Sequence, residues 1–147
     1  MNNRLYENKV IEKIEDFTDE TFGFVYRITN LETNRYYIGK KQLLSKTNVK
    51  LGKKEKAALP VQRGRAPSKK EVIKESNWLD YWGSCKPLLE DIKTLGKDKF
   101  QRDILIICKS KKLLTYYEAY YQMVEQVLLK DTYNDTILSH YYRKDFM

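Results

Sequence analysis

The sequence predicts an α+β domain, and three patterns carry that expectation. Residues 22–29 alternate with period two and are followed by a second strand at 35–39, which reads as a hairpin. Residues 100–108 form an apolar run of strand length, and residues 110–130 repeat apolar positions at helical spacing. At 147 residues the chain is long enough for one domain with its own core. Cys85 and Cys108 are too few for a disulfide scaffold or a zinc site and read as reduced thiols of a cytoplasmic protein. No apolar run approaches the roughly 18 residues of a membrane span, and no signal-peptide core follows Met1-Asn2-Asn3-Arg4. The expectation is a soluble, unexported protein with no membrane partner.

Residues 1–21 read as an N-terminal extension, an added strand or short helix docked through Val10, Ile11, Ile14 and Phe17. Phe22, Phe24, Tyr26 and Ile28 then alternate with Gly23, Val25, Arg27 and Thr29. A polar turn follows, with Asn30 and Asn34 tolerant of left-handed backbone. The second strand ends in Tyr37-Ile38-Gly39, where the glycine admits close approach of a ligand or another backbone.

Charge is concentrated directly after it. Residues 40–74 hold twelve Lys/Arg against Glu55 and Glu71, so this segment carries +10 of a total of +8 and the rest carries −2. With Gly52, Pro60, Gly64 and Pro67 inside it, the basic insertion 42–76 reads as extended or loosely ordered. A cationic strip beside a candidate site suits a phosphate backbone, whereas a membrane surface would call for an amphipathic apolar face that the segment lacks.

Beyond the insertion, Ser84-Cys85-Lys86-Pro87 predicts a helix start, with Leu88, Leu89, Ile92 and Leu95 as its buried stripe and Gly96 as its stop. Phe100–Cys108 suits a central strand covered on both faces. The last helix, Ser110–Lys130, is expected to turn Leu113, Tyr117, Tyr120, Val124 and Val127 to the core. No repeat or boundary divides residues 1–147.

The chemistry-bearing residues are few. Tyr26 and Tyr37 face across the hairpin beside Gly39-Lys40-Lys41, and phenols near cations can handle a phosphate and a water together; strands also favour tyrosine for packing alone. Glu118, among Tyr116, Tyr117, Tyr120 and Tyr121, is a partly desolvated carboxylate that a magnesium ion would satisfy, or a surface residue at the edge of a stripe. Asn134, in a turn after the helix, can brace backbone.

In this order, Phe24-Val25-Tyr26, Tyr37-Ile38-Gly39, Gly96…Phe100…Ile104-Leu105, Tyr117-Glu118 and Tyr133-Asn134 resemble the GIY-YIG nuclease superfamily over residues 22–138. The insertion leading into Glu75-Ser76-Asn77-Trp78 and Tyr81-Trp82-Gly83-Ser84 looks most like small phage-encoded members. The resemblance implies a three-stranded antiparallel sheet flanked by helices, in agreement with strands at 22–29, 35–39 and 100–108. It implies Tyr26 as general base, Tyr37 as its partner in positioning water, Glu118 as ligand of one Mg²⁺ that Mn²⁺ could replace, and Asn134 as a supporting residue. An unperturbed phenol titrates near 10, so Tyr26 is expected to be lowered by Lys40 and Lys41.

Two departures accompany the resemblance. The first triplet lacks its leading glycine, with Gly23 one place earlier. The helix arginine expected after the second triplet is missing from 42–49, so the role passes to Arg65 or Arg63, failing which to Lys40, Lys41 or Lys46. Lys40, Lys41, Lys46, Lys53, Lys54, Lys69 and Lys70 are the expected contacts to double-stranded DNA. The implied function is a metal-dependent endodeoxyribonuclease, phage-encoded and free-standing or homing-type, monomer or homodimer, in a bacterial or phage-infected cytoplasm. A non-catalytic nucleic-acid-binding or regulatory protein on the same scaffold is the alternative.

Overall fold

The computed structural model of the protein describes residues 4–7, 9–18, 20–58, 64 and 68–147. Its centre is the predicted hairpin, β3 (Gly23–Asn30) and β4 (Tyr36–Gln42), with β7 (Phe100–Cys108) antiparallel to β3 on the other side. The register sets Tyr26 opposite Gly39 and Ile28 opposite Tyr37. Alternation then divides the hairpin cleanly. Phe24, Tyr26 and Ile28 pack with Trp78, Leu88 and Ile92 on one face, while Val25 and Ile38 pack with Leu114, Val127 and Leu128 on the other.

The sheet has five strands and is mixed, which corrects the expected three-stranded antiparallel sheet. Its order is β2-β1-β7-β3-β4, where β1 (Arg4–Tyr6) runs parallel to β7 and β2 (Lys9–Ile11) closes antiparallel on β1. Without β1, the central apolar strand β7 would present an open edge of unpaired backbone groups, and the N-terminal extension covers it. Arg4 and Arg102 are register partners there. Both are buried, and both donate into the loop at 78–81: Arg4 to the carbonyls of Trp78 (3.0 Å) and Tyr81 (2.5 Å), Arg102 to those of Leu79 (2.8 Å) and Tyr81 (3.2 Å). Burial pulls the Arg4 guanidinium down to about 9 and Arg102 to about 10.

The basic insertion is not loosely ordered in its described parts. β5 (Leu44–Lys50) and β6 (Lys69–Glu75) form a two-stranded antiparallel ribbon, and α1 (Lys53–Ala57) is a short exposed helix beyond it. Thr47, Val49, Val72 and Ile73 supply the β-branched residues that favour strands. Both ribbon faces are largely exposed, so the half-buried alternation that marks a strand in sequence is absent.

Two helices flank the sheet. α2 (Lys86–Leu95) has Cys85 rather than Ser84 at its N-cap, buries Leu88 and Ile92 but leaves Leu89 exposed, and stops at Gly96 with φ +91°. α3 (Lys111–Val124) starts on Ser110, whose hydroxyl accepts from the Leu113 amide at 3.1 Å. It ends six residues short of the expected Lys130, because Gln126 takes a left-handed φ of +53° and turns Val127 and Leu128 into the core. Its inward face is also displaced by one position. Leu114, Glu118 and Gln122 form the inner row, while Leu113, Tyr120 and Val124 are exposed. A short hairpin of β8 (Thr136–Ile137) and β9 (Tyr141–Tyr142) follows.

Candidate active site at the open edge of β4

As the last strand of its sheet, β4 has outward backbone groups at Tyr36, Ile38 and Lys40 with no neighbouring strand to bind. Each finds a partner drawn from another part of the chain. The Tyr36 carbonyl accepts from the Tyr133 amide at 2.9 Å. The Ile38 amide donates to Asn134 Oδ1 at 3.0 Å, and its carbonyl accepts from Asn134 Nδ2 and Gln122 Nε2, both at 2.9 Å. The Lys40 amide faces the Glu118 carboxylate and favours its charged form. Asn134, Gln122 and Glu118 thus stand where a sixth strand would stand, and so hold the segment carrying Tyr37 and Gly39. Buried backbone groups require such partners.

Asn134 is itself held firmly. Next to it, the Tyr133 hydroxyl donates to Asp91 Oδ2 at 2.6 Å and accepts from Asn30 Nδ2 at 3.1 Å, with Arg35 over the ring at 4.2 Å. Arg143 gathers the same turn by donating to the carbonyls of Val127, Lys130 and Asn134, each at 2.7 Å.

The two phenols occupy the other face of the hairpin. Their ring centroids lie 6.2 Å apart. A Cβ at position 39 would stand 2.6 Å from the Tyr26 hydroxyl and 2.9 Å from the Tyr37 ring, so the glycine is demanded by the tyrosines rather than by a ligand. Gly83, at φ +88°, brings its backbone over both from the loop that Arg4 and Arg102 hold. Tyr26 is 1 % exposed, whereas Tyr37 opens onto a cavity of about 570 Å³ that Lys40, Cys85, Glu118, Gln122 and Asn134 also line.

Electrostatics tie these groups together. Burial raises the Glu118 carboxyl, and Lys40, by charge and by its amide, opposes the rise. Burial first, and then the Glu118 charge, raises the Tyr37 phenol; Tyr26 is pushed well up by burial, then by Tyr37 and Tyr81. The expected lowering of Tyr26 by Lys40 and Lys41 is absent. Lys40 Nζ donates to Thr115 Oγ1 at 3.0 Å, and Lys41 sits 4.0 Å over the Tyr81 ring. Arg4, 5.1 Å over the Tyr26 ring, is the cation that does oppose the rise.

Tyr37, Glu118, Asn134 and Lys40 are therefore brought together, with Tyr26 behind Tyr37. Arg63 and Arg65 lie outside the described residues. Lys46, Lys69 and Lys70 stand on the ribbon and Lys53 and Lys54 on α1, away from the cavity. Gln122 was missed by sequence reasoning, although it lies one turn beyond Glu118 on the same row. It is 5 % exposed, and its Oε1 has no hydrogen-bond partner. Arg4, Arg102 and Arg143 were missed as well, and nothing in their spacing announces them.

The described residues contain no cluster of three or more His, Cys, Asp or Glu able to enclose a metal. The donor set still fits magnesium. This ion binds through one or two carboxylates and keeps water and phosphate oxygens for the rest. A carboxylate that faces one amide retains acceptor capacity for the ion.

A tyrosine pair set against a glycine on an edge strand, with a helix carboxylate across from it, is the arrangement that the resemblance to GIY-YIG nucleases implies. The family model described as "Putative endonuclease segE, GIY-YIG domain" matches residues 5–145, and the chain belongs to this family. The match takes in β1, β2 and the ribbon along with the sheet centre. No curated protein and no solved structure matches the chain.

Proposed function

We propose that the protein is a metal-dependent endodeoxyribonuclease that hydrolyses phosphodiester bonds of double-stranded DNA at the β4 edge. The observation that carries this reading is the shared cavity: Tyr37, Lys40 and Glu118 line one space, on a strand whose Ile38 peptide is clamped by Asn134. Membership of a nuclease family and the excess cationic charge beside that strand support it.

Glu118 would hold one Mg²⁺, with Mn²⁺ able to replace it and Gln122, which lines the same cavity, beside the ion's shell of water. Bound there, the ion supplies Lewis-acid stabilisation of the phosphate and the leaving oxygen. Tyr37, the accessible phenol, holds the attacking water in line. Tyr26 positions Tyr37 from behind, since a buried neutral phenol without a lowered pKa is a poor proton acceptor. Lys40 is the cation in the cavity that can face the phosphate, together with Arg65 or Arg63 if the insertion brings one in. Lys41, Lys46, Lys53, Lys54, Lys69 and Lys70 hold the flanking backbone. We assign the protein to a phage, as a free-standing or homing-type enzyme acting in the cytoplasm.

Nicking of supercoiled plasmid tests this. The protein should cut in Mg²⁺ and stop in EDTA, and Glu118→Gln should lose at least about 10³-fold in rate while still binding DNA. Full cleavage by Glu118→Gln would overturn the site. One observation favours a non-catalytic DNA-binding protein instead: no arginine lines the cavity among the described residues. Binding without cutting in either metal would establish that alternative.

A further inference from the structure

The proposed reaction gives the lysines of the β5–β6 ribbon a phosphate backbone to hold and leaves its uncharged side chains without a task. Its register separates two unlike faces. Leu44, Lys46, Asn48 and Lys50 oppose Glu75, Ile73, Glu71 and Lys69, so this face holds both ribbon acids and the Lys46–Glu71 ion pair. Ser45, Thr47 and Val49 oppose Lys74, Val72 and Lys70, and this face carries no acid. Lys70 turns off it to pair with Glu55 of α1.

The acid-free face is also the one on the side of the active site. Ser45, with Leu44 from the opposite face beside it, lines a groove of about 250 Å³ with Lys40, Lys41, Ser76 and Tyr81, and Lys40 reaches from this groove into the catalytic cavity. Lys46 and Ile73, from the opposite face, line a second groove with Glu20, Lys109 and Lys111, which meets the first at Gln42, Leu44 and Lys111. A cationic path thus runs from the cavity to the base of the acid-free face, where Lys74 stands opposite Ser45.

The base of the ribbon is anchored and its length is free. Leu43, 2 % exposed, separates it from β4; the Leu43 amide donates to the Phe22 carbonyl at 3.0 Å and the Ser76 amide to the Leu43 carbonyl at 2.8 Å. Beyond that point Val49 is 42 % exposed. A bare two-stranded ribbon with β-branched residues in water is marginal in stability and prone to edge pairing, so a surface that covers it is expected.

Dimensions choose the surface. Seven residues per strand span roughly 23 Å, and two strands about 4.8 Å apart with their side chains fit a groove about 12 Å wide, the major groove of B-DNA. We propose that the acid-free face of the β5–β6 ribbon enters the major groove beside the cut phosphate and reads the bases there. Val49 and Val72 meet thymine methyls, Ser45 and Thr47 hydrogen-bond base edges, and Lys74 meets guanine O6 and N7. The sequence read lies within about one helical turn of the cut. This inference rests on the reading of the protein as a DNA nuclease, yet it can fail separately.

The test uses the whole chain in EDTA, so that it binds without cutting, and duplexes with a randomised centre. The expected result is an enriched sequence in which guanine N7 methylation blocks binding. The Thr47→Ala/Val49→Ala/Val72→Ala variant should lose at least tenfold in the ratio of enriched to random affinity, with the slope of log K against log salt unchanged. The methylation experiment needs no variant, so misfolding of the triple mutant would not blunt it. Binding without sequence preference, a preference that survives the triple change, or insensitivity to N7 methylation would each overturn the proposal. Cutting without preference sinks the ribbon and spares the nuclease; preference without cutting does the reverse.

Discussion

Residues 36–40 and residues 44–50 follow one another along the chain, joined through Leu43, and they meet the same problem in opposite ways. Both are strands with an unpaired edge. The first has its outward groups bound one by one by Tyr133, Asn134, Gln122 and Glu118, and nearly everything around it is buried. The second leaves its outer edges and both faces to solvent, with lysines spread along it. Chemistry at a phosphate needs groups fixed within a fraction of an ångström, which the first arrangement gives. Contact with a long polyanion needs reach and charge, which the second gives. The contrast implies that substitutions at the β4 edge should change rate and stability, and those on the ribbon should change binding alone.

Asn134→Ala is the strongest way to break that contrast on the inner side after Glu118→Gln itself. It leaves the buried Ile38 amide without an acceptor, at a cost of about 1–3 kcal/mol. It also frees the strand that places Tyr37. Nicking should fall about 10²-fold and the melting temperature by several degrees. An unchanged rate in a destabilised protein would show that the clamp serves the fold and not the site.

Gln122→Leu separates these two roles. The Ile38 carbonyl keeps its bond from Asn134, and an unpartnered buried oxygen disappears, so the melting temperature should not fall. Oε1 is closed off from the cavity, so it reaches the ion's shell only if the side chain opens; if it does, the Mg²⁺ concentration at half-maximal nicking should rise about tenfold in the variant. A Mg²⁺ dependence identical to that of the wild type would remove Gln122 from the metal.

On the ribbon the expected signs are reversed. Lys50 and Lys69 lie directly opposite each other across β5 and β6. Like charges so placed repel, and Lys50→Gln/Lys69→Gln should stabilise the ribbon by a few tenths of a kcal/mol. The same change removes two positive charges, one of them the proposed phosphate contact Lys69, and should make the log K against log salt slope shallower by about 2 if Lys50 also meets a phosphate. DNA affinity that is unaffected at low salt would place the backbone elsewhere.

Sequence reasoning succeeded where one rule decided the structure. The alternation at 22–29 gave the two faces of β3, though not its register, which sets Tyr26 opposite Gly39 and Tyr37 opposite Ile28, and Gly96 stopped a helix as its conformational freedom allows. It failed where two demands competed. On α3 the inward row is Leu114, Glu118 and Gln122, two of the three polar, so a search for apolar spacing selected the neighbouring row of Leu113, Tyr120 and Val124. The functional residues themselves displaced the pattern. The ribbon was hidden for a different reason: exposed on both faces, it has no core-facing alternation to read. Arg4 and Arg102 were illegible because a buried guanidinium is recognised by the carbonyls it reaches, and those of Trp78, Leu79 and Tyr81 are far away in the chain.

The smallest expected effect concerns the charge at the centre of the site. Burial holds the folded-state pKa of Glu118 above the ordinary 4.5. The folded protein therefore binds this proton more tightly than the unfolded chain, and stability falls as pH rises from the ordinary carboxylate value through the raised one. Above that window the fold carries a buried carboxylate at a cost, and below it the carboxyl is neutral in both states. Glu118→Gln should accordingly melt a few degrees higher than wild type at pH 7 without metal, with the difference vanishing at pH 4. Mg²⁺ should narrow the gap at pH 7 by stabilising only the wild type, because an ion bound to the native state adds to its stability. A variant that melts below wild type at neutral pH would mean that the Lys40 amide and ammonium already compensate the carboxylate fully, leaving no unspent charge to attract a cation.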